Sequence, residues 1–316
     1  MRNHLTYTRT LTGERGKSTM STKQKTLAFV GLGVMGYPMA GHLAKAGYKV
    51  KVFNRTASVA QKWIDELGPS SDCSMHESPE LAAREADVVL MCVGNDDDVR
   101  SVVYGDTGVL GGMKGGSVLV DHTTASQQLA LELAGQCDAK DIGFLDAPVS
   151  GGQAGAESGA LTIMVGGSQK DYQKIGPILN AYAKKTELMG EAGCGQLTKM
   201  VNQICIAGIL EGLAEGLHFG QQAGLDIEKV VEVISKGAAQ SWQMENRSKT
   251  MAADEYEFGF AVDWMRKDLS IAISTARKIG ASLPVASLVD QFYADIQEMG
   301  GGRWDTSSLL RRFTKG

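Results

Sequence analysis

The chain has 316 residues, a formal net charge of −4, 43% hydrophobic residues, 39 glycines and only 6 prolines. A Gly-rich but Pro-poor composition with that apolar content excludes a collagenous or disordered chain and points to a globular protein whose backbone turns tightly or approaches something closely. The length predicts about two domains, and the acidic balance, with a pI near 5.8, argues against nucleic acid and anionic membranes as partners.

Residues 1–24 carry Arg2, Arg9, Arg15 and Lys17 among Thr, Ser and Gly, with a second methionine at Met20. They read as a disordered leader or an upstream start, with Arg- and Ser-rich targeting chemistry as the alternative. From Thr26 short apolar runs alternate with helical periodicity, the pattern of βαβ units. Thr26 to Gly31 is predicted as strand, Met35 to Ala46 as helix, Lys49 to Phe53 as strand and Ser58 to Leu67 as helix. Val88 to Cys92 and Val118 to Asp121 read as strands, Ser126 to Cys137 as helix, and Gly143 to Ala147 and Leu161 to Val165 as two more strands. The fold class is α/β, with a Rossmann-like doubly wound parallel sheet over residues 25–190 and ligands expected at the carboxyl ends of its strands. After about Gly195 the strand-like runs end. Lys199 to Ala223, Ile227 to Ser235, Val262 to Ile279 and Val285 to Met299 read as the helices of an all-helical domain over residues 191–316.

No uninterrupted run reaches the roughly 18 apolar residues of a membrane span; the nearest, Ile204 to Leu217, is broken by Glu211 and Glu215. Five cysteines (Cys73, Cys92, Cys137, Cys194, Cys205) lack CxxC spacing and partner histidines. Neither a disulfide framework nor a metal site is expected, and a reducing cytoplasm fits best. Glycines at Gly208, Gly212, Gly216, Gly220 and Gly224 recur every fourth residue of the long predicted helix. Each costs about 0.5–1 kcal/mol against alanine, which a closely packed neighbour would offset. That neighbour is a second subunit or domain, implying a homodimer or homotetramer, or simply the surrounding core.

The chemistry concentrates in three places. Gly31-Leu32-Gly33-Val34-Met35-Gly36 is G-x-G-x-x-G between a predicted strand and helix, the context in which it cradles a dinucleotide pyrophosphate on helix-start amides. About 20 residues on, where an NAD site usually carries Asp or Glu, stand Asn54, Arg55 and Thr56. The missing acid and the Arg55 guanidinium favour NADP, with NAD possible. Ser150, Gly151 and Gly152 follow a predicted strand and offer a hydroxyl and exposed amides to a small-molecule carboxylate substrate. Lys199, Asn202 and Gln203 share one helix face; a lysine in that apolar neighbourhood is a snorkelling surface side chain or a buried proton donor. His122 reads as structural, Cys194 as packing, and Asn95 to Asp98 as a helix cap. Trp242 and Trp264 cover substrate or fill core.

Four segments together resemble the β-hydroxyacid dehydrogenases, which include 3-hydroxyisobutyrate dehydrogenase, tartronate semialdehyde reductase and the glyoxylate/succinic semialdehyde reductases. They are Gly31 to Gly36 with Met39, Asp146 to Gly152, Gly193 to Gln203, and Lys267-Asp268-Leu269. The resemblance spans about residues 25 to 315. It implies a first domain that binds NAD(P), Ser150-Gly151-Gly152 on the substrate carboxylate, Lys199 as acid/base and Asn202 orienting substrate. It further implies Lys267 and Thr124 beside the nicotinamide, Val93 and Gly94 as strand-end cofactor contacts, and no metal. Val93-Gly94 departs from the commoner Leu-Pro, His122-Thr123 from a pair of serines, and Gln203 from a second Asn. The expected activity is an NADP-preferring reduction of a small carboxylate-bearing aldehyde. NAD-linked oxidation of 3-hydroxyisobutyrate is the alternative, and a non-catalytic cofactor-binding regulatory protein the alternative from another class.

Overall fold

A computed structural model describes residues 25–67 and 72–314; the leader expected over 1–24 lies outside them. The first domain runs β1 (Thr26–Val30), α1 (Gly36–Lys45), β2 (Lys49–Phe53), α2 (Ala57–Leu67), β3 (Cys73–Met75), α3 (Pro79–Ala83), β4 (Val88–Met91), α4 (Asp96–Val103), α5 (Val109–Gly112), β5 (Val118–Asp121) and α6 (Gln127–Asp138). It continues through β6 (Gly143–Asp146), β7 (Val149–Ser150), α7 (Gly152–Glu157), β8 (Leu161–Gly167), α8 (Gln169–Leu179) and β9 (Ala183–Gly190). Among the described residues these nine strands form one sheet, in the order β3-β2-β1-β4-β5-β6-β8-β7, with β9 paired to β8.

Both faces of β1 are buried, Leu27 and Phe29 against one layer of apolar side chains and Ala28 and Val30 against the other. A central strand read this way requires helices on both sides of the sheet. The strands from β3 to β6 pair in parallel, so their carboxyl ends gather the loops after β1, β4 and β5 at one rim. The sequence predicts a parallel sheet; the structure keeps it from β3 to β6 and departs from it at β8, which runs antiparallel to β6 and β7. A parallel return needs a long crossover, and between β6 and β8 the chain has only β7 and the six-residue α7. Asn95 caps α4 as expected, its Oδ1 accepting from the Asp98 amide at 2.9 Å.

The second domain is helical, with α9 (Cys194–Gln222), α10 (Ile227–Ile234), α11 (Trp242–Ala252), α12 (Val262–Ile279), α13 (Pro284–Glu298), a 3-10 turn at Thr306–Leu310 and α14 (Arg311–Thr314). By length and composition α9 could cross a membrane. It is instead the axis of this domain's core, burying Ala207, Leu210, Ala214 and Leu217 against Met265, Leu269, Val289 and Tyr293. The glycine series on α9 is not one seam. Gly224, at φ +70°, lies just past the helix and turns the chain, a terminating role the periodicity had hidden. A Cβ on Gly220 would stand 2.8 Å from Ile227, whereas one on Gly212 or Gly216 would meet nothing within 4 Å. Core packing therefore does not account for those two.

The domains join where α9 begins. The buried Asp146 carboxylate, at the end of β6, accepts from the Gly193 amide at 2.7 Å and the Gln196 amide at 2.8 Å. Those are orphan donors of a helix start, and the helix dipole favours the negative charge there. A Cβ on Gly195 would stand 2.5 Å from the Met164 carbonyl oxygen, so the helix rests directly on sheet backbone. Asp146→Ala is expected to strand both amides, at about 1–3 kcal/mol each, and to lower the melting temperature by several degrees in a thermal scan; an unchanged melting temperature would contradict this role.

Candidate active site

At the carboxyl end of β1 the chain turns through Gly31 to Gly36 into α1, and its three glycines serve different ends. A Cβ on Gly31 would stand 2.3 Å from the Cys92 carbonyl oxygen, and one on Gly36 would stand 1.9 Å from that of Gly31. The protein's own backbone excludes both. A Cβ on Gly33 would meet nothing within 4 Å. Gly33 and Val34 are exposed beside a helix start that no side chain caps and whose first turn has no acidic residue. Bare backbone facing open space at a helix N-terminus suits an anion such as the pyrophosphate of a dinucleotide.

Leu32 is buried, and its amide donates to Asn54 Oδ1 at 2.9 Å. The Asn54 Nδ2 in turn donates to the Thr56 carbonyl at 3.0 Å, so this amide braces the glycine loop against the end of β2. Met35 stands at the entry to α1. Arg55 and Thr56 are exposed, and the Arg55 side chain, 89% accessible, has Asp98 as a loose partner at 3.4 Å. Such a screened surface pair contributes little, and the guanidinium remains accessible to a phosphate.

The loops after β4 and β5 form the next part of the rim. The Val93 amide donates to Thr123 Oγ1 at 3.0 Å. Lys267, on α12, donates through Nζ to the Gly94 carbonyl at 3.1 Å and to the Thr124 carbonyl. Trp264 covers Gly94 closely, its indole 3.2 Å from where a Cβ would stand. Trp264 therefore lines the rim between the domains, while Trp242 is half exposed under the Arg247 guanidinium at 4.9 Å. The predicted cofactor residues on the glycine loop, β2, β4, β5 and α12 thus lie along the strand ends of one sheet.

Across the rim, β7 and α9 bring the predicted substrate residues together. The Ser150 hydroxyl donates to Asn202 Oδ1 at 3.4 Å. Gly151 and Gly152, both exposed and at φ +130° and +60°, present backbone to solvent, and a Cβ on Gly152 would meet nothing within 4 Å. Lys199 lies one turn earlier on α9 and is 7% exposed. Burial pulls its ammonium down to about 8, partly opposed by Asp268 and reinforced by Lys267. An amine held near neutrality can give or take a proton at working pH. Of the two sequence readings of Lys199, the snorkelling surface side chain is excluded.

Three polar residues that sequence reasoning left without a role shape this site. Gln196 is buried; its Oε1 accepts from the Ala125 amide at 3.0 Å and its Nε2 donates to the Thr123 carbonyl at 2.8 Å. It ties the loop after β5 to the helix that carries Lys199. Thr123 then passes that position to Val93. Asp268, 1% exposed, accepts from Gln203 Nε2 at 2.6 Å and pairs with Lys267 at 3.2 Å. Burial raises its carboxyl above the usual range, opposed by Lys267 and Lys199. A polar residue one helical turn from Lys199, as Gln196 is, was the available signal. His122 is structural: its Nδ1 bonds the Ala147 carbonyl at 2.6 Å, its Nε2 bonds the Tyr182 hydroxyl at 2.9 Å, and burial lowers it to about 4. Among the described residues no group of three or more His, Cys, Asp or Glu is placed to hold a metal ion.

The glycine geometry separates stability from binding. Gly36→Ala is expected to destabilise by about 2–3 kcal/mol, an overpacking cost, while Gly33→Ala leaves the melting temperature unchanged and weakens dinucleotide binding about tenfold or more. Thermal scans with titration calorimetry check this; equal effects of the two substitutions on stability would refute it.

A family model described as the NAD binding domain of 6-phosphogluconate dehydrogenase matches residues 26–190. A second, described as "NAD-binding of NADP-dependent 3-hydroxyisobutyrate dehydrogenase", matches residues 193–313. An uncharacterized oxidoreductase of Shewanella frigidimarina is 60% identical over 92% of this chain and 98% of its own. A protein of Arabidopsis thaliana named "Probable 3-hydroxyisobutyrate dehydrogenase-like 1, mitochondrial" is 40% identical over 90% of this chain and 84% of its own. Among solved structures, the 3-hydroxyisobutyrate dehydrogenase of Mycobacterium tuberculosis with L-serine superposes with a TM-score of 0.82 at 28% identity, over 93% of this chain and 100% of that one. With one model matching the sheet domain, another the helical domain, and relatives aligned along most of both chains, the chain belongs to the β-hydroxyacid dehydrogenase family of NAD(P)-binding oxidoreductases.

Proposed function

We propose that the protein reversibly reduces a small carboxylate-bearing aldehyde with NADPH, and that Lys199 is the acid/base. The observation that carries this reading is the buried Lys199 on the same helix as Asn202, with Asn202 held to Ser150 of the neighbouring loop. A bound nicotinamide cofactor supplies the hydride. The residues of this chain supply position and a proton. Ser150 and the exposed backbone of Gly151 and Gly152 hold the substrate carboxylate, and Asn202 orients it. The Lys199 ammonium donates its proton to the carbonyl oxygen as negative charge develops there, and the neutral amine withdraws that proton in the oxidative direction.

Preference for NADP rests on Arg55, an accessible guanidinium just past β2 with no acid in the neighbouring Asn54 position. NAD-linked oxidation of 3-hydroxyisobutyrate is the second reading, favoured by the similarity to dehydrogenases of that name. A non-catalytic cofactor-binding protein would have no use for a lysine buried beside the substrate loop. Five cysteines without CxxC spacing suit a reducing cytoplasm. The face of α9 bearing Gly212 and Gly216, flanked by the exposed Ile209 and Phe219, supports a homodimer or homotetramer.

Reduction should require the ammonium, so its kcat falls about tenfold per pH unit above about 8 while oxidation gains over the same interval. Lys199→Ala should lower kcat by about 10²–10⁴ with cofactor affinity intact. NADPH oxidation over glyoxylate, succinic semialdehyde, tartronate semialdehyde and methylmalonate semialdehyde provides the assay; near-normal turnover in Lys199→Ala would refute the assignment. Arg55→Ala should raise KM for NADPH about tenfold, worth about 1.4 kcal/mol, and leave NADH unaffected. Equal efficiency of the two cofactors in the unaltered enzyme would remove the preference.

A further inference from the structure

Gln203 stands next to Asn202 on α9 and is 1% exposed. Its two amide atoms face two different partners. Nε2 donates to Asp268 Oδ2 at 2.6 Å, and Oε1 accepts from Asn202 Nδ2 at 2.7 Å. Asn202 Oδ1 then accepts from the Ser150 hydroxyl. A carboxylate is acceptor-only when ionised, so the charge on Asp268 fixes which end of Gln203 faces it. That choice leaves only the Gln203 oxygen for Asn202, which fixes Asn202 in turn: nitrogen toward Gln203, oxygen toward Ser150. The polarity of the whole chain of amides follows from one ionised oxygen.

We propose that Gln203 is a positioning residue that relays the charge of Asp268 to the amide of Asn202 at the substrate loop and, by holding that charge, steadies the ammonium form of Lys199. This rests on the reading of Lys199 as the acid/base. The charges acting on Lys199 come from α12, Asp268 favouring the ammonium and Lys267 opposing it. On α9 and the substrate loop the neighbours Gln203, Asn202 and Ser150 are uncharged, and the Asp146 carboxylate at the start of α9 is engaged by Gly193 and Gln196. A hydrogen bond donated to a carboxylate favours its ionised form, and Gln203 donates one to Asp268. Without it Asp268 keeps its proton to higher pH, and Lys199 loses its ammonium at lower pH.

The test uses the full chain, NADPH and the most rapidly reduced aldehyde of the semialdehyde screen. Gln203→Met removes both amide atoms at similar volume. It should move the alkaline limb of kcat down by about one pH unit and raise substrate KM about tenfold, because Asn202 loses its orientation. Gln203→Glu keeps an oxygen for Asn202 and adds a carboxylate beside Asp268, so KM should stay within about twofold while the limb moves up. Circular dichroism establishes that each variant is folded; if Gln203→Met is not, the upward limb and preserved KM of Gln203→Glu decide alone. Limbs that stay in place, or that move the same way in both variants, overturn the proposal. An inactive Lys199→Ala beside unmoved Gln203 limbs refutes the relay only. A fully active Lys199→Ala refutes the acid/base reading and the relay with it.

Discussion

The contact on which the site depends is the Asp146 carboxylate buried against the first amides of α9. A charge removed from water is costly unless donors surround it, and a helix start supplies them without any cation. The bond joins the last strand of the parallel run from β3 to β6 to the axis of the helical domain. The predicted site residues on α9 are therefore indexed to β6: Gln196 at the first turn reaches back to the loop after β5, and Lys199 and Asn202 follow at the next turns of the same rod. A helix docked through its own backbone at Gly195 has little freedom to slide. Lys199, the proposed acid/base, and the loop beside which the nicotinamide is proposed to lie are thus positioned by one polar junction rather than by two independently placed domains.

A second link crosses the same divide farther out. Lys267 leaves α12 and bonds carbonyls from the loops after β4 and β5. These carbonyls lie at strand ends, where a parallel sheet leaves backbone groups beyond its ladder. The side chain satisfies them while its own charge is answered by Asp268. The ion pair is therefore part of the surroundings of Lys199 as well as of the domain contact. Asp268 faces Lys267 and Gln203 directly and acts on Lys199 through charge. His122, by contrast, is held neutral between a carbonyl and a phenol, and acts only as a strut.

Much of this is legible in the amino-acid sequence. The alternation of strand and helix signals fixed the parallel half of the sheet, because strands buried on both faces read as short apolar runs bounded by helices. The short or edge elements were not legible. β3 has three residues, β7 two, and β9 is an edge strand whose sequence, Ala-Lys-Lys-Thr-Glu-Leu-Met-Gly, lacks an apolar run. The direction of β8 is set by the brevity of its connection, which periodicity does not encode. In the site, glycine spacing and the helical offset of Lys199 and Asn202 carried their own signal. Asp146 and Asp268 did not, since a buried polar residue reveals itself only by the partner it finds in space, and Gln196 carried no more than its spacing from Lys199. The glycine series on α9 misled for a similar reason: equal spacing in sequence concealed a terminator, one tight contact, one ordinary contact and two open positions.

The three glycines after β1 are subject to two kinds of selection. Gly31 and Gly36 are held by the chain's own carbonyls, and any descendant that keeps the fold must keep them. Gly33 is excluded from carrying a side chain by nothing among the described residues. If Gly33 faces the dinucleotide as proposed, a lineage that ceased to bind it would be free to replace Gly33 alone. The middle glycine is therefore a record, written in one residue, of whether the ligand still visits.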